Sequence, residues 1–148
     1  MVRAGISLYG ILPSSKVKNQ LNLKPVMSVK TIITQIKELK RGEFIGYGKE
    51  FEVIKPTRVG TLAIGYADGF LRSGKKAFLA IKNTPVKILG RVCMDQLMID
   101  VSNVYCEVGD EVCVFGEFPT ASLVAKSMGT ISYELLCSIS KRVPRIYV

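Results

Sequence analysis

Short apolar runs separated by turn residues make up most of the chain. The clearest runs are residues 77–81, 86–89, 96–101 and 111–115. Residues 82–84 predict a hairpin turn between the first two runs, and residues 107–110 predict a turn before the last. Strands that recur about every 8 to 12 residues are typical of an all-β sandwich or barrel.

Residues 26–39 carry two conflicting signals. Val29, Ile32 and Ile36 recur at the spacing of a helix. Most of the apolar residues in the segment are β-branched, however, which reduces side-chain freedom in a helix and suits a strand. Because turn-punctuated strands surround this segment, we predict a strand here.

The N-terminal part of the chain has a weaker pattern. Residues 2–10 form a short apolar run that predicts a strand ending in a loop at residues 12–15. Residues 16–23 are polar and only weakly periodic. Pro25 is therefore predicted to mark the start of the main domain.

Helical signals are confined to the C-terminal part. Thr120 can cap a short helix that ends at Gly129. Ser132 can cap a second helix over residues 133–140. The last run, residues 143–148, predicts a final strand, and the proline within it indicates an edge position.

The tripeptide Ile-Gly-Tyr occurs twice, ending at Tyr47 and at Tyr66. Between the two copies, β-branched residues around Pro56 predict paired strands. A glycine beside a tyrosine lets a ligand or another backbone approach closely, so we expect each tyrosine near a strand end with its hydroxyl available. Asp68 and Asp95 are interpreted as turn-forming residues.

The composition allows one compact domain, since 148 residues of which 48% are hydrophobic can form a substantial core. No run of 18 apolar residues occurs, so no segment is predicted to span a membrane. The start of the chain lacks the apolar segment of a signal peptide.

Four cysteines and the absence of histidine limit the possible chemistry. No C-x-x-C pair occurs and no histidine could complete a zinc site, so a structural metal is not expected. Each cysteine lies in an apolar stretch, which favours buried free thiols in a reducing cytoplasm. A proton carrier within this chain must be Tyr, Lys, Cys, Asp or Glu, and a Ser-His-Asp triad is impossible.

The net charge of +9 suggests nucleic-acid binding as one possible function. The basic clusters are short, however, and aromatic residues do not alternate with them as base-stacking platforms would. The positive charge could instead face small anions or an acidic part of a larger protein.

Five motifs occur in a fixed order along nearly the whole chain. They are VRAGISLYG at residues 2–10, GEFIGYG at 42–48, IGYADG at 64–69, GRVCMDQ at 90–96 and TISYE at 130–134. Together they resemble the C-terminal part of bacterial alanine racemases, which are pyridoxal-phosphate enzymes of fold type III. One of these motifs alone would be a weak signal, but five in order are specific.

The resemblance implies a mainly β fold: residues 25–148 would form a barrel-like or Greek-key β domain with one or two short C-terminal helices. Residues 1–24 would form the end of a (β/α)8 barrel and a linker. It also implies a cytoplasmic homodimer arranged head to tail, with each site between one subunit's barrel and the other's β domain. The lysine that binds pyridoxal 5′-phosphate belongs to the barrel in this family, and no lysine here stands in a matching motif.

Tyr47 matches the position of the family's catalytic tyrosine. Racemisation removes a proton from one face of the α-carbon and delivers one to the other, and the resemblance assigns a lysine to one face and this tyrosine to the other. Because tyrosine ordinarily has a pKa of about 10, a base role requires positive neighbours or hydrogen bonds that favour the phenolate. The alternative is a strand tyrosine whose hydroxyl meets only water.

Four residues match the family's cofactor site. Arg3 would face the pyridine nitrogen and, because a guanidinium keeps its protons, leave that nitrogen unprotonated. Backbone N–H groups of Gly5 and Ile6 would bind the phosphate, and the Tyr133 hydroxyl would reach it. The alternative for these residues is an ordinary terminal strand and the first residue of an amphipathic helix.

Four more residues match the family's substrate site: Met94, Tyr66, Arg72 and Arg91. The Met94 backbone N–H would meet the substrate carboxylate, and the alternative is a core methionine. Two arginines at a narrow mouth would attract a carboxylate and restrict bulkier amino acids, whereas the alternative is solvated surface arginines. Tyr133 favours alanine over serine as the substrate.

The resemblance therefore predicts part of a racemase that interconverts L- and D-alanine for the cell wall and is inactive without the lysine-bearing barrel. Two other functions stay open: a basic β-barrel that binds nucleic acid, and a non-catalytic dimerisation or ligand-sensing module. The predicted partners are alanine and a second copy of the complete enzyme, with no nucleic acid and no membrane.

Overall fold

Eight strands and two α-helices, together with four short 3-10 helices, are present in the residues that the structure, a computed structural model, describes: 1, 3, 5–14, 16, 17 and 22–148. The strands are β1 (Val29–Leu39), β2 (Phe44–Ile45), β3 (Phe51–Glu52), β4 (Thr57–Leu62), β5 (Phe78–Ile81), β6 (Thr84–Leu89), β7 (Leu97–Asp100) and β8 (Glu111–Phe115). The helices are α1 (Ala121–Met128) and α2 (Ser132–Ser138). Neither of these two helices has the length or apolar content to cross a membrane.

Most of the strands close into an antiparallel barrel in the order β1–β4–β7–β6–β5–β8, while β2 and β3 form a separate two-stranded sheet. Strands β5, β6 and β7 are neighbours in sequence and in space, and β8 returns beside β5. This is a Greek-key arrangement. The prediction of a mainly β, barrel-like domain with short C-terminal helices is therefore confirmed.

The segment with conflicting signals, β1, is a strand as predicted. Val29, Thr31 and Ile33 are buried and the residues between them are exposed, which is the alternation of a pleated strand. The predicted hairpin between β5 and β6 is also confirmed. Lys82 and Asn83 both have positive φ, at 48° and 63°, as a two-residue type I′ turn requires.

Two apolar clusters hold the fold together. The larger one fills the barrel and continues beneath α1 and α2, where Val124 and Leu135 are fully buried. The smaller one joins the β2–β3 sheet to β4, β6 and β7, and consists of Ile45, Val53, Val59, Leu89, Cys93 and Met98. This smaller cluster docks the two-stranded sheet onto the barrel, and so fixes the turn that follows β2.

Thr120 caps α1 as predicted: its Oγ1 accepts a hydrogen bond from the Leu123 N–H at 3.3 Å. We expect Thr120→Ala to lower the free energy of unfolding by about 1 kcal/mol, because an N–H at the helix start loses its partner. Ser132→Ala is the control and should lower it less, since the Ser132 hydroxyl pairs with the exposed Ser122 hydroxyl and caps no helix N–H. Urea denaturation measures both variants, and equal losses would contradict the assigned cap.

Three predictions for the C-terminal part are wrong. Ser132 is the first residue of α2 rather than its cap, and its hydroxyl lies 3.1 Å from that of Ser122 on α1. The helix ends at Ser138, because Ile139 leaves helical geometry with a ψ of 111°. Residues 143–148 form no strand, since the closed barrel leaves no unpaired edge among its strands for them to join.

Residues 2–10 were expected to be a strand, and this is corrected where the structure describes them. Ile6–Tyr9 is a 3-10 helix, in which the Leu8 N–H donates to the Gly5 carbonyl at 3.1 Å. Gly10 ends it with a φ of 76°. A hydrogen bond between residues three apart turns the chain, so it cannot run extended here. Val2 and Ala4 lie outside the described residues.

The strands around Pro56 form, but they do not pair with each other. β3 pairs with β2, whereas β4 pairs with β1 and β7. Pro56 lies between β3 and β4 and has no N–H to give to a ladder, so the run is split at this point. The prediction of paired strands is therefore right for the elements and wrong for their partners.

All four cysteines are free thiols, but the expectation that all are buried is wrong. Cys93 and Cys106 are buried and Cys113 is half-buried, whereas Cys137 is exposed. Cys137 follows the buried Leu135 by two residues on α2, which places it about 200° around the helix and on its outer face.

Candidate functional site

Tyr47 stands on a tight turn directly after β2. Gly46 turns the chain with a φ of 74°, and the 3-10 turn Tyr47–Lys49 follows. A Cβ at Gly46 would lie 3.3 Å from the Met98 Cε atom, so the turn packs closely on the barrel. Tyr47 itself is 71% exposed. The expected geometry, a tyrosine at a strand end with little bulk beside it, is present.

An open groove of about 420 Å³ runs beside Tyr47. Its apolar lining comes mainly from the smaller cluster, including Ile45, Val59 and Met98. The polar residues that line it are Gln35, Lys37, Thr61 and Gln96. A small polar molecule could therefore contact both apolar and hydrogen-bonding groups next to the tyrosine.

Two contacts tether the residues that follow Tyr47. The Arg91 guanidinium, in the loop after β6, forms a two-point ion pair with the Glu50 carboxylate. The Lys49 ammonium lies 5.5 Å from the centre of the Phe44 ring on β2, which is a cation–π distance. Because Arg91 and Glu50 are both partly exposed, their pair contributes little stability. Its effect is to fix the turn against the loop after β6.

Backbone hydrogen bonds bring Tyr66 and Met94 together. The Tyr66 N–H donates to the Cys93 carbonyl at 3.0 Å, and the Ala67 N–H donates to the Met94 carbonyl at 2.9 Å. A Cβ at Gly65 would lie 2.3 Å from the Met94 oxygen, so only glycine permits this approach. Met94 is 53% exposed, which excludes the alternative of a core methionine.

Ile6 and Tyr133 line a second cavity, of about 360 Å³, between the start of the chain, α1 and the start of α2. Its polar lining consists of Ser14, Ser122, Lys126, Thr130 and Ser132. A Cβ at Gly5 would meet nothing within 4 Å, so space is open beside that backbone. Arg3 is exposed, two residues before Gly5.

Arg72 is less closely connected to the other predicted site residues. It is exposed at the start of the 3-10 turn Arg72–Lys76. Across the described part of the chain, no hydrogen bond or ion pair joins it to Tyr66, Met94 or Arg91.

Groups with a displaced pKa lie away from both cavities. Partial burial raises the pKa of the Cys113 thiol. A hydrogen bond to the Glu107 carboxylate raises the pKa of Tyr105, and one to Glu111 raises the pKa of Lys30. None of these three groups lines either cavity.

Residues 26–147 match the family model of the alanine racemase C-terminal domain. The chain belongs to this family. Alanine racemase from Clostridium tetani is 48% identical over 155 residues, covering 99% of this chain and 40% of that protein. Alanine racemase from Clostridium difficile 630 has a similar structure, with a TM-score of 0.95 at 45% identity over 100% of this chain and 40% of that one. Alanine racemase from Bartonella henselae with covalently bound pyridoxal phosphate gives a TM-score of 0.91 at 31% identity, over 97% of this chain and 40% of that one.

The chain spans about two-fifths of the length of the racemases it matches. The structure brings the predicted site residues into two groups. Tyr47, Tyr66, Arg91 and Met94 lie on adjoining loops around β2, β4 and β6. Ile6 and Tyr133 line the other cavity, with Gly5 beside it. The resemblance to alanine racemases that five motifs indicated is therefore confirmed.

Sequence reasoning missed two charged residues at these loops. Glu50 neutralises Arg91, and Arg142 forms ion pairs with Asp68 and Asp95. Residues of opposite charge are visible in the sequence, but their pairing is not, because Glu50 and Arg91 are 41 positions apart and Asp95 and Arg142 are 47 positions apart. Asp68 also forms the turn as predicted, because its carboxylate accepts a hydrogen bond from the Gly65 N–H at 2.8 Å.

Proposed function

We propose that this chain is the C-terminal part of an enzyme that interconverts L- and D-alanine, and that Tyr47 moves a proton at one face of the α-carbon. The position of Tyr47 carries the proposal: it is exposed beside a groove, on a tethered turn, within residues that match the racemase family. A lysine on a (β/α)8 barrel would serve the opposite face.

Racemisation needs two proton carriers that face each other across the α-carbon. Pyridoxal 5′-phosphate, when bound, supplies the electron sink that lets the α-proton leave. As a phenolate, Tyr47 would accept the proton on its side, and as a phenol it would donate one; in both directions its oxygen must come close to the α-carbon. The Arg91–Glu50 pair and the Lys49–Phe44 contact keep the turn in place, so the ring needs little reorganisation at the moment of transfer.

The second cavity fits the phosphate of this cofactor. The backbone N–H groups of Gly5 and Ile6 and the Tyr133 hydroxyl would donate to the phosphate, and Lys126 in the same lining adds positive charge. Arg3 would face the pyridine nitrogen and leave it unprotonated, which moderates the electron sink and favours racemisation over transamination. The Bartonella henselae racemase has covalently bound pyridoxal phosphate, which supports this cofactor for the proposed enzyme.

The residues that line the two cavities are different, and we infer that the cavities serve two different active sites of a homodimer. In this arrangement, a chain holds its own cofactor at Gly5, Ile6 and Tyr133. Its Tyr47 acts on the cofactor held by the partner subunit. Head-to-tail pairing of two copies completes both sites at once. The complete enzyme would work in the cytoplasm and supply D-alanine for the cell wall.

For the substrate, the Met94 N–H would bind the carboxylate, and Tyr66, Arg72 and Arg91 would form the mouth of the site. Glu50 balances the charge of Arg91, so Arg91 contributes shape and position more than net attraction for a carboxylate. A mouth bounded by an aromatic ring and a fixed guanidinium restricts bulky side chains, which supports alanine as the substrate.

The direct test is a fusion in which this chain replaces the matching C-terminal segment of the Clostridium tetani racemase. We expect the fusion to dimerise, to show cofactor absorbance and to racemise alanine, because both proton carriers are then present. The chain alone, mixed with pyridoxal phosphate, should neither hold the cofactor tightly nor racemise alanine. Size-exclusion chromatography, absorbance spectra and optical rotation measure these outcomes.

Each outcome of this test has a defined meaning. A dimeric, cofactor-loaded fusion that leaves alanine unchanged would overturn the proposed activity and favour a non-catalytic dimerisation module. Racemisation above background by the chain alone would overturn the requirement for the barrel. The Clostridium tetani enzyme with its own C-terminal segment is the positive control.

A further inference from the structure

Arg142, near the end of the chain, binds two aspartates at once. Its Nε lies 3.0 Å from Oδ1 of Asp68, and its Nη2 lies 2.9 Å from Oδ1 of Asp95. The Asp68 side chain is only 13% exposed, so that carboxylate is largely removed from water and depends on its partners. Arg142 and Asp95 are more accessible, which leaves the contact reachable by solvent.

Each of these aspartates belongs to a loop that carries a predicted substrate-binding residue. Asp68 lies two residues after Tyr66, and its second oxygen accepts the Gly65 N–H at 2.8 Å. Asp95 directly follows Met94. The two loops are also joined by the backbone hydrogen bonds from Tyr66 to Cys93 and from Ala67 to Met94. We call the contact between these two loops the junction. The Arg142 side chain adds ion pairs to the junction, which backbone hydrogen bonds already hold together.

Arg142 is itself held in place by the segment around it. The Ser140 N–H donates to the Asp68 carbonyl at 3.0 Å. The Arg145 guanidinium donates to the carbonyls of Ile139, at 2.9 Å, and Val143, at 2.6 Å. The tail after α2 is thus folded back on itself, and these hydrogen bonds fix the backbone that carries the Arg142 side chain.

We propose that Arg142 is a positioning residue that fixes Tyr66 and Met94 relative to each other in the substrate site. This inference rests on the proposed racemase function. A guanidinium can meet two carboxylates at once through separate N–H groups, whereas a lysine ammonium is a single point charge. Without Arg142, the Asp68 and Asp95 carboxylates would repel each other across the junction, and the two loops would separate.

The expected effect is on substrate binding rather than on the proton transfer at Tyr47. In the fusion with the Clostridium tetani barrel, we expect Arg142→Gln to raise KM for alanine about tenfold while kcat changes less than about threefold. Arg142→Lys should recover only part of the loss. Lys141→Gln is the matched control, since Lys141 is an exposed neighbouring cation, and it should leave both constants unchanged.

A second measurement, amide hydrogen exchange on the chain itself, reports on the junction without any activity. We expect the Tyr66 and Ala67 amides to exchange at least about tenfold faster in Arg142→Gln than in the unchanged chain, and not in Lys141→Gln. Unchanged exchange, or faster exchange with an unchanged KM, would overturn the positioning role. Full recovery of KM by Arg142→Lys would overturn the requirement for a two-carboxylate contact.

The two proposals fail in distinguishable ways. If the unchanged fusion holds cofactor but does not racemise, the proposed function fails and the role in substrate binding falls with it. The exchange rates then still decide whether Arg142 holds the two loops together.

Discussion

Replacing Tyr47 by phenylalanine in the fusion is expected to lower racemisation by about 10²- to 10⁴-fold, the usual contribution of a positioned acid or base. The substitution removes only the hydroxyl, so the ring keeps its place on the exposed turn. The substitution leaves the lysine that is proposed for the opposite face untouched. In deuterated water, one enantiomer of alanine should therefore still exchange its α-proton for deuterium, while the other should not.

This asymmetry distinguishes a lost proton carrier from a damaged site. A site that is merely distorted would lose exchange for both enantiomers, and it would lose cofactor absorbance as well. Tyr105→Phe is the matched control, because Tyr105 is 78% exposed and its hydroxyl donates to Glu107 outside both cavities. It should racemise at the unchanged rate. A Tyr47→Phe fusion that also keeps this rate would remove the catalytic assignment.

The fold could be predicted from sequence wherever local chemistry decides the structure. The β-branched residues of β1 overrode a weak helical spacing, and Lys82 and Asn83 adopted the left-handed conformations of a tight hairpin. Thr120 and Gly129 bounded α1 as expected. In each case, the outcome depends on residues within a few positions of one another.

Strand pairing that depends on residues far apart in the chain could not be predicted from the sequence. Residues 143–148 have strand-like composition, but the barrel is already closed by the pairing of β1 with β8. Nothing in the local sequence indicates that no edge is left for them. Similarly, β3 pairs with β2 rather than with β4, because the smaller apolar cluster holds the β2–β3 sheet as a unit against the barrel.

In the candidate site, too, features set by neighbouring residues could be predicted and features set by distant residues could not. The motif around Tyr47 predicted a tyrosine near a strand end with its hydroxyl available, because a glycine beside it leaves little bulk there. The ion pairs that tether this turn and the neighbouring loops could not be predicted. Arg91 was interpreted as an attractor for a carboxylate, but its guanidinium is occupied by Glu50. Asp95 was interpreted as a turn-former, but it binds Arg142.

These long-range contacts explain how a small β domain can hold several loops in fixed positions relative to one another. Tyr47 and Tyr66 belong to different segments, yet both segments contact the loop that runs from Arg91 to Asp95 after β6. Glu50, three residues after Tyr47, forms an ion pair with Arg91, and the Tyr66 N–H donates to the Cys93 carbonyl. That loop therefore acts as a common support for the predicted catalytic and substrate-binding residues. A change that displaces either segment should affect stability and the site together.

A substitution at Gly69 should have the largest combined effect on stability and on the site. We expect Gly69→Ala to lower the free energy of unfolding by about 3 kcal/mol or more. Its φ is 101°, a conformation that alanine adopts with strain, and an added Cβ would lie 2.1 Å from the Ser138 carbonyl oxygen. That oxygen belongs to the end of α2, where the Ser138 hydroxyl also donates to the Gly69 carbonyl at 2.7 Å. Backbone must therefore move, and the melting temperature should fall by roughly 10 °C.

Gly109→Ala separates the two causes of this loss. Gly109 has a similar φ, 96°, but an added Cβ there would meet nothing within 4 Å. It should therefore show only the conformational strain, about 1 kcal/mol, and a fall of a few degrees in melting temperature. Thermal unfolding followed by circular dichroism compares the two variants. Equal losses would mean that the turn carrying Tyr66 does not pack against the end of α2, whereas a threefold difference measures that packing directly.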